Sequence, residues 1–396
     1  MRKRRIFCRI SGVMIQFLLA IIYLAFISLG LPDSILGAAW PTMYRELGSP
    51  VSYAGYVSMV IALGTIVSSL LSDRLTRLLG AGKVTAISVA MTAAALFGFS
   101  MSSSYWMLLL WAVPYGLGAG SVDAALNNYV ALHYESRHMS WLHCMWGIGA
   151  MTGPFIMGQA LTFGFGWSRG YQFIGILQVL LTIVLFFSLP AWKEKKEAEN
   201  AESGRALSLL EIVKLKGVLE VMVFFFGYCA FEQAAGLWAS SFLNLAKNVP
   251  ATTAASFGAL FFVGITLGRG ASGFITMRFS DHQMIVGGLT IMAAGLLLML
   301  LPFGSLALLG LVVIGLGCAP IYPCVIHSTP FRFGSDKSQA VIGVEMASAY
   351  LGTLVMPALF GFIAERVHIS FLPFYLFAIL VVMAAMYAKL VSRTGE

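Results

Sequence analysis

Asp33, Asp123 and Glu232 each interrupt an apolar stretch, with at least eleven uncharged residues before the next charged one on either side. At a helical rise of about 1.5 Å per residue, each acid is isolated by roughly 18 Å along a helix. A carboxylate in such a setting is costly unless it is paired, hydrated or protonated. Desolvation favours the neutral form of a carboxylic acid, so a proton or a solute hydroxyl can compensate the buried group. The chemistry these residues suit is the handling of protons and solutes. Asp123 and Asn127 stand at i and i+4 and share a helix face, an acid for the proton beside an amide for hydroxyls.

Other residue types extend the picture. His143 and Trp146 are three apart, and Gln159 follows on the same segment. An aromatic face beside hydrogen-bonding groups suits a sugar ring, whose CH faces stack and whose hydroxyls bond, although a packed core histidine accounts for His143 equally well. Asn128, Gln233, Trp238, Tyr322 and His327 are polar or aromatic groups of the same kind. Arg269, within Gly268-Arg269-Gly270, is a cation inside an apolar segment and must find a partner. Glu345 and Glu220 are the expected partners, in a gate or scaffold ion pair.

The elements that must position these groups are membrane helices. Hydrophobic residues make up 59% of the 396-residue chain and charged residues 11%, with mean hydropathy +0.86, where soluble domains carry about 25% charged residues. Apolar segments fall at 12–43, 52–72, 83–102, 105–133, 139–163, 170–190, 216–244, 252–277, 283–303, 305–330, 338–364 and 369–390. Runs of about 20 residues or more indicate helices rather than barrel strands. With the N-terminus inside, 20 of the 25 Lys and Arg residues fall on the cytoplasmic side, 4 on the other, and Arg269 within a span. That split places both termini in the cytoplasm. The MRKRR start resembles a signal peptide only superficially, because the apolar run after it is too long. The net charge of +8 reflects this topology and is no sign of nucleic-acid binding. The five cysteines have neither disulfide nor metal spacing. No Walker, HExxH or G-x-S-x-G motif occurs, and no stretch outside the membrane is long enough for an enzyme. The sequence predicts no enzyme, no cofactor and no metal.

The chain divides at 191–215, a dense mixed-charge cytoplasmic linker, into bundles at 1–190 and 216–396 of six segments each. The halves repeat each other. Asp33 and Glu232 are 199 residues apart, as are Gly116-Leu117-Gly118 and Gly315-Leu316-Gly317; Pro154 with Gly158 returns as Pro357 with Gly361 at an offset of 203. Pro320 and Pro323 should bend segment 10.

Leu31-Pro32-Asp33-Ser34, Gly118-Ala119-Gly120-Ser121-Val122-Asp123 with Asn127, Tyr228-Cys229-Ala230-Phe231-Glu232 and Gly315-Leu316-Gly317-Cys318-Ala319-Pro320-Ile321-Tyr322-Pro323 resemble segments 1, 4, 7 and 10 of the fucose–proton and bacterial glucose/mannose symporters, a branch of the major facilitator superfamily. Asp73-Arg74-Leu75-Thr76-Arg77 resembles the superfamily's loop signature D-R-x-G-R, with Thr76 for glycine. Two departures from the branch are Ala230 for a glycine and His143 for a glutamine; the second puts fucose itself in doubt. The resemblance implies an all-α membrane protein of twelve helices in two pseudo-symmetric six-helix bundles, with segments 1, 4, 7 and 10 lining a central cavity.

The resemblance further implies a secondary active transporter of the cell membrane, taking up a hexose-like sugar or small polyol with protons by alternating access. Its partners are a small-molecule substrate and the lipid bilayer, and a monomer is the simplest state. Asp33 and Asp123 are then the coupling acids; Asp33, Asn127, His143, Trp146, Glu232 and Tyr322 the substrate site; and Asp73, Arg74 and Arg77 a conformational loop. Proton-driven efflux of a cationic or amphipathic compound, and a non-transporting solute sensor, are the alternatives.

Overall fold

The apolar segments form helices throughout a computed structural model that describes residues 2–33, 35–50, 53–200, 207–249 and 251–395. Met1, Ser34, 51–52, 250, Glu396 and part of the linker, 201–206, lie outside the described residues, as do the side chains of 2–16, 41, 193–200 and 251–260. No strand occurs among the described residues.

The chain folds as two units, Met1–Tyr129 with Met145–Ala206, and Val130–Cys144 with Leu207–Glu396. The helices of the N-terminal part are α1 (Arg2–Asp33), α2 (Ile35–Glu46), α3 (Tyr53–Leu79), α4 (Ala81–Ser100), α5 (Tyr105–His133), α6 (Ser136–Thr162) and α7 (Gly166–Asn200). The last turn of α5 and the first two turns of α6 belong to the second unit. That unit continues with α8 (Leu209–Val213), α9 (Val218–Lys247), α10 (Ala251–Ile275), α11 (Asp281–Leu300), α12 (Gly304–Cys318), α13 (Ile321–Phe333), α14 (Ser335–Arg366) and α15 (Leu372–Thr394).

Ten helical spans among the described residues are long and apolar enough to cross a membrane. Of the remaining two long helices, α6 is less apolar because it carries Arg137, His138, His143 and Gln159. In α10 the described apolar part is Phe261–Ile275. One expected single segment is two helices. Segment 10 breaks into α12 and α13 at Ala319-Pro320, where proline supplies no N–H to the helix.

Residues 73–77 are a correction to the sequence reading. They are helical, on the closing turns of α3, rather than in the loop that follows it. The Arg77 Nε–H donates to both Asp73 oxygens at 3.0 Å, an i,i+4 pair that extends the helix. The chain turns only at Gly80, whose φ of 82° favours glycine.

The sequence repeat has a structural counterpart in each unit. In α5, a Cβ at Gly116 would lie 2.2 Å from the Ile61 carbonyl of α3, and one at Gly118 would lie 2.7 Å from the Ser88 carbonyl of α4. In α12, a Cβ at Gly315 would lie 2.8 Å from the Phe261 carbonyl of α10, and one at Gly317 would lie 2.8 Å from the Gly288 carbonyl of α11. Each unit thus brings three helices together through the same two small residues, as apolar bundles do where backbones meet.

Candidate functional site

Asp33 lies on α1, where Gly30 lets α6 approach so closely that a Cβ there would lie 2.1 Å from the Trp146 carbonyl. From the other side, Gly149 and Gly153 bring α6 against the carbonyls of Ile27 and Leu31, at 2.0 and 1.9 Å from a built Cβ. This backbone contact places the Trp146 indole N–H on Asp33 Oδ2, at 2.7 Å. Tyr115 of α5 donates its hydroxyl to Asp33 Oδ1 at 3.4 Å. Two aromatic donors therefore hold the carboxylate, yet Asp33 stays exposed.

Asp123 differs. It is buried, and the Asn127 amide, fully buried, donates to its Oδ1 at 2.7 Å and to its backbone carbonyl at 3.0 Å. The pair shares a helix face, and the Asn127 amide nitrogen is engaged by Asp123 in this conformation.

In the second unit a different cluster forms. Arg269 of α10 donates from Nη2 to Glu232 Oε2 at 3.3 Å, both side chains buried. The Tyr228 hydroxyl lies 2.5 Å from the same oxygen and 3.0 Å from the Cys318 carbonyl. Tyr322, at the start of α13, has its ring 4.5 Å from His143, 4.6 Å from Phe225 and 5.8 Å from the Arg269 guanidinium. His143 is buried in this aromatic cluster.

The expected Arg269–Glu345 pair does not form. Glu345 is fully buried against Thr329 of α13, and Glu220 is bound by Lys389 and Arg393, each at 3.0 Å. Sequence distance concealed the real partner. Glu232 lies on α9, three turns beyond Glu220 and across from α10, and an acid already set aside as a substrate group neutralises the buried cation.

Of the predicted substrate residues, Asp33 is exposed, Trp146 and Tyr322 are half-buried, and Asn127, His143 and Glu232 are buried. His143 and Trp146 share α6, but His143 packs in the second unit and Trp146 on Asp33 in the first. Of the other candidates, Trp238 donates its indole N–H to the Pro357 carbonyl and His327 bonds Asp281 at 2.6 Å, so both are tied into the scaffold. Sequence reading missed Tyr115 and the glycines facing α1. Gly149 and Gly153 are a small-xxx-small pair, the one signal that could have revealed the contact. No metal-binding group occurs among the described residues.

Trp146→Phe removes one donor to the Asp33 carboxylate. A hydrogen bond to a charged group contributes about 1.5–3 kcal/mol, so solute binding that uses an oriented Asp33 should weaken by about tenfold or more. Equilibrium exchange of bound solute measures it; unchanged affinity in W146F would sink the positioning role.

Two helical units of apolar helices, ten of them long and apolar enough to cross a membrane among the described residues, describe a multi-pass membrane protein. The Major Facilitator Superfamily profile matches residues 22–257, and the chain belongs to that family. It is 25% identical to the 4-hydroxybenzoate transporter PcaK of Pseudomonas aeruginosa, over 84% of this chain and 83% of that one. It is 24% identical to the glucose/mannose transporter GlcP of Bacillus subtilis, over 66% and 67%. Its fold matches FucP in the outward conformation with a TM-score of 0.73 at 16% identity, covering 93% of this chain and 98% of that one. The protein is thus a major facilitator superfamily transporter, similar in sequence to GlcP and in fold to FucP.

Proposed function

We propose that the protein takes up a hexose-like sugar or small polyol together with protons, by alternating access across the cell membrane, with both termini cytoplasmic. The observation that carries this reading is Asp33, an exposed carboxylate held by an indole N–H and a phenol. Such a group accepts hydrogen bonds from solute hydroxyls, and the half-buried Trp146 ring beside it offers an apolar face for the CH side of a sugar. The similarity to GlcP supports the sugar class; the similarity to PcaK means that an aromatic acid must be included in any panel.

Asp33 and Asp123 are the coupling acids in this reading. Protonation removes the cost of a buried carboxylate in an apolar bundle, and the Asn127 amide holds the Asp123 carboxyl in place. Asp123→Asn should abolish accumulation driven by a proton gradient while leaving exchange of sugar across the membrane. Labelled hexoses, polyols and 4-hydroxybenzoate in proteoliposomes with imposed proton or sodium gradients give the answer. D123N accumulating solute as wild type does would end the coupling assignment. Accumulation only against the opposite gradient orientation would favour efflux.

A further inference from the structure

Glu345 is the buried acid that the preceding reading leaves unused. Its neighbours differ from those of every other acid in its unit that is packed away from solvent. Glu220 has Lys389 and Arg393 at 3.0 Å, Glu232 has Arg269 and the Tyr228 hydroxyl, and Asp281 has His327 and the Ser136 hydroxyl. Among the described residues, Glu345, with no exposed surface, has one threonine. Thr329 Oγ1 lies 3.0 Å from one carboxyl oxygen and 3.2 Å from the other.

A threonine hydroxyl carries one hydrogen. The same Oγ1 lies 3.0 Å from the Val325 carbonyl, one turn back on α13. Ser328 also donates to that carbonyl, at 2.9 Å. A charged Glu345 would therefore receive at most one hydrogen bond, shared with a competing acceptor. Among the described residues no cation reaches it as an ion pair. Arg332, the nearest cation on α13, donates instead to Ser328 at 3.2 Å, Thr394 at 3.1 Å and Tyr387 at 3.3 Å. An ionised carboxylate buried with a single donor is strongly disfavoured. A carboxylic acid satisfies the whole seam: Glu345 O–H donates to Thr329 Oγ1, and Thr329 donates to the Val325 carbonyl.

We propose that Glu345 is a proton-binding site of the second unit, separate from Asp33 and Asp123, that holds its proton while α13 packs on α14. The proton leaves to water, giving a carboxylate, when that seam opens or when Arg332 turns onto it. The position suits such coupling. Thr329 sits on α13, the half-helix beyond the Ala319-Pro320 break, and α13 meets α14 at Gly334, whose φ is 91°. The other titratable groups around the seam are already engaged. His327 bonds Asp281 and the Tyr134 carbonyl, Glu220 bonds Lys389 and Arg393, and Asp336 pairs with Lys337 at 3.5 Å.

Infrared spectroscopy of the full chain in lipid nanodiscs tests this without any solute. At neutral pH, wild type should show a protonated-carboxyl C=O band that shifts on exchange into deuterated water. Glu345→Gln should lose that band, whereas D33N should keep it. Thr329→Val, which retains the acid but removes its acceptor, should move the band to higher frequency. Identical bands in wild type and E345Q overturn the proposal. Should E345Q fail to assemble, T329V decides alone: a shifted band supports the site, and an unmoved one overturns it.

Discussion

Glu232→Ala is expected to destabilise the protein by about 3–5 kcal/mol, because it leaves the Arg269 guanidinium buried without its carboxylate. Arg269 is 3% exposed, so water cannot replace the lost partner without opening the contact between α9 and α10. Tyr228 loses its acceptor at the same time and keeps the Cys318 carbonyl. Arg269→Met alone should be comparably harmful, since it strands the acid. The double change E232M/R269M should recover most of the loss, because a buried pair replaced by apolar groups of similar volume is often neutral. Denaturant unfolding in detergent, followed as a double-mutant cycle, measures the coupling directly. Additive single effects would mean that the pair contributes nothing as a pair. The cycle also separates scaffold from transport: a stable E232M/R269M protein that still exchanges solute would remove Glu232 from the substrate site.

Gly153→Ala is the second change of large expected effect. The new Cβ would sit 1.9 Å from the Leu31 carbonyl, a backbone atom of α1 that no rotamer can move aside. Inserting a methyl group into a packed core costs about 1–3 kcal/mol. A backbone neighbour should put this site at the upper end or beyond. The separation of α6 from α1 would also draw Trp146 away from Asp33, so solute binding should fall with stability. Gly158→Ala is the matched control. It lies on the same helix with nothing within 4 Å of its Cβ, and alanine favours a helix over glycine by up to about 1 kcal/mol. Thermal midpoints in detergent distinguish them: G158A unchanged or higher, G153A clearly lower. Equal midpoints would refute the close packing of α1 and α6.

The close approach of α1 to α6 illustrates what was legible and what was not. Asp33 stood out in the sequence through its isolation, and Trp146 through its company on α6, but nothing in their spacing joined them. The joining is done by Gly30, Gly149 and Gly153, three residues without side chains, whose role depends on which helix they face. The same limit explains Arg269. Its need for a carboxylate was evident from burial alone, whereas the choice among Glu220, Glu232 and Glu345 depended on how α9, α10 and α14 pack. The linear chain places Arg269 37 residues from the acid that neutralises it. Residues 73–77 were misplaced because their resemblance to a loop signature put them beyond segment 2, whereas the Asp73–Arg77 pair is made within one helix.

The sequence by itself determined the membrane class and marked the acids of interest, because burying charge in an apolar run is costly wherever the run folds. It also carried the repeat that reappears as glycines packing α5 and α12 in each unit. Only the tertiary structure decided partners: Trp146 and Tyr115 on Asp33, Asn127 on Asp123, Arg269 on Glu232, and Thr329 on Glu345. The physical reason is range. Hydropathy and helical periodicity act along the chain, while hydrogen bonds and ion pairs form within about 3 Å of contact, and contacts between helices distant in sequence are set by packing.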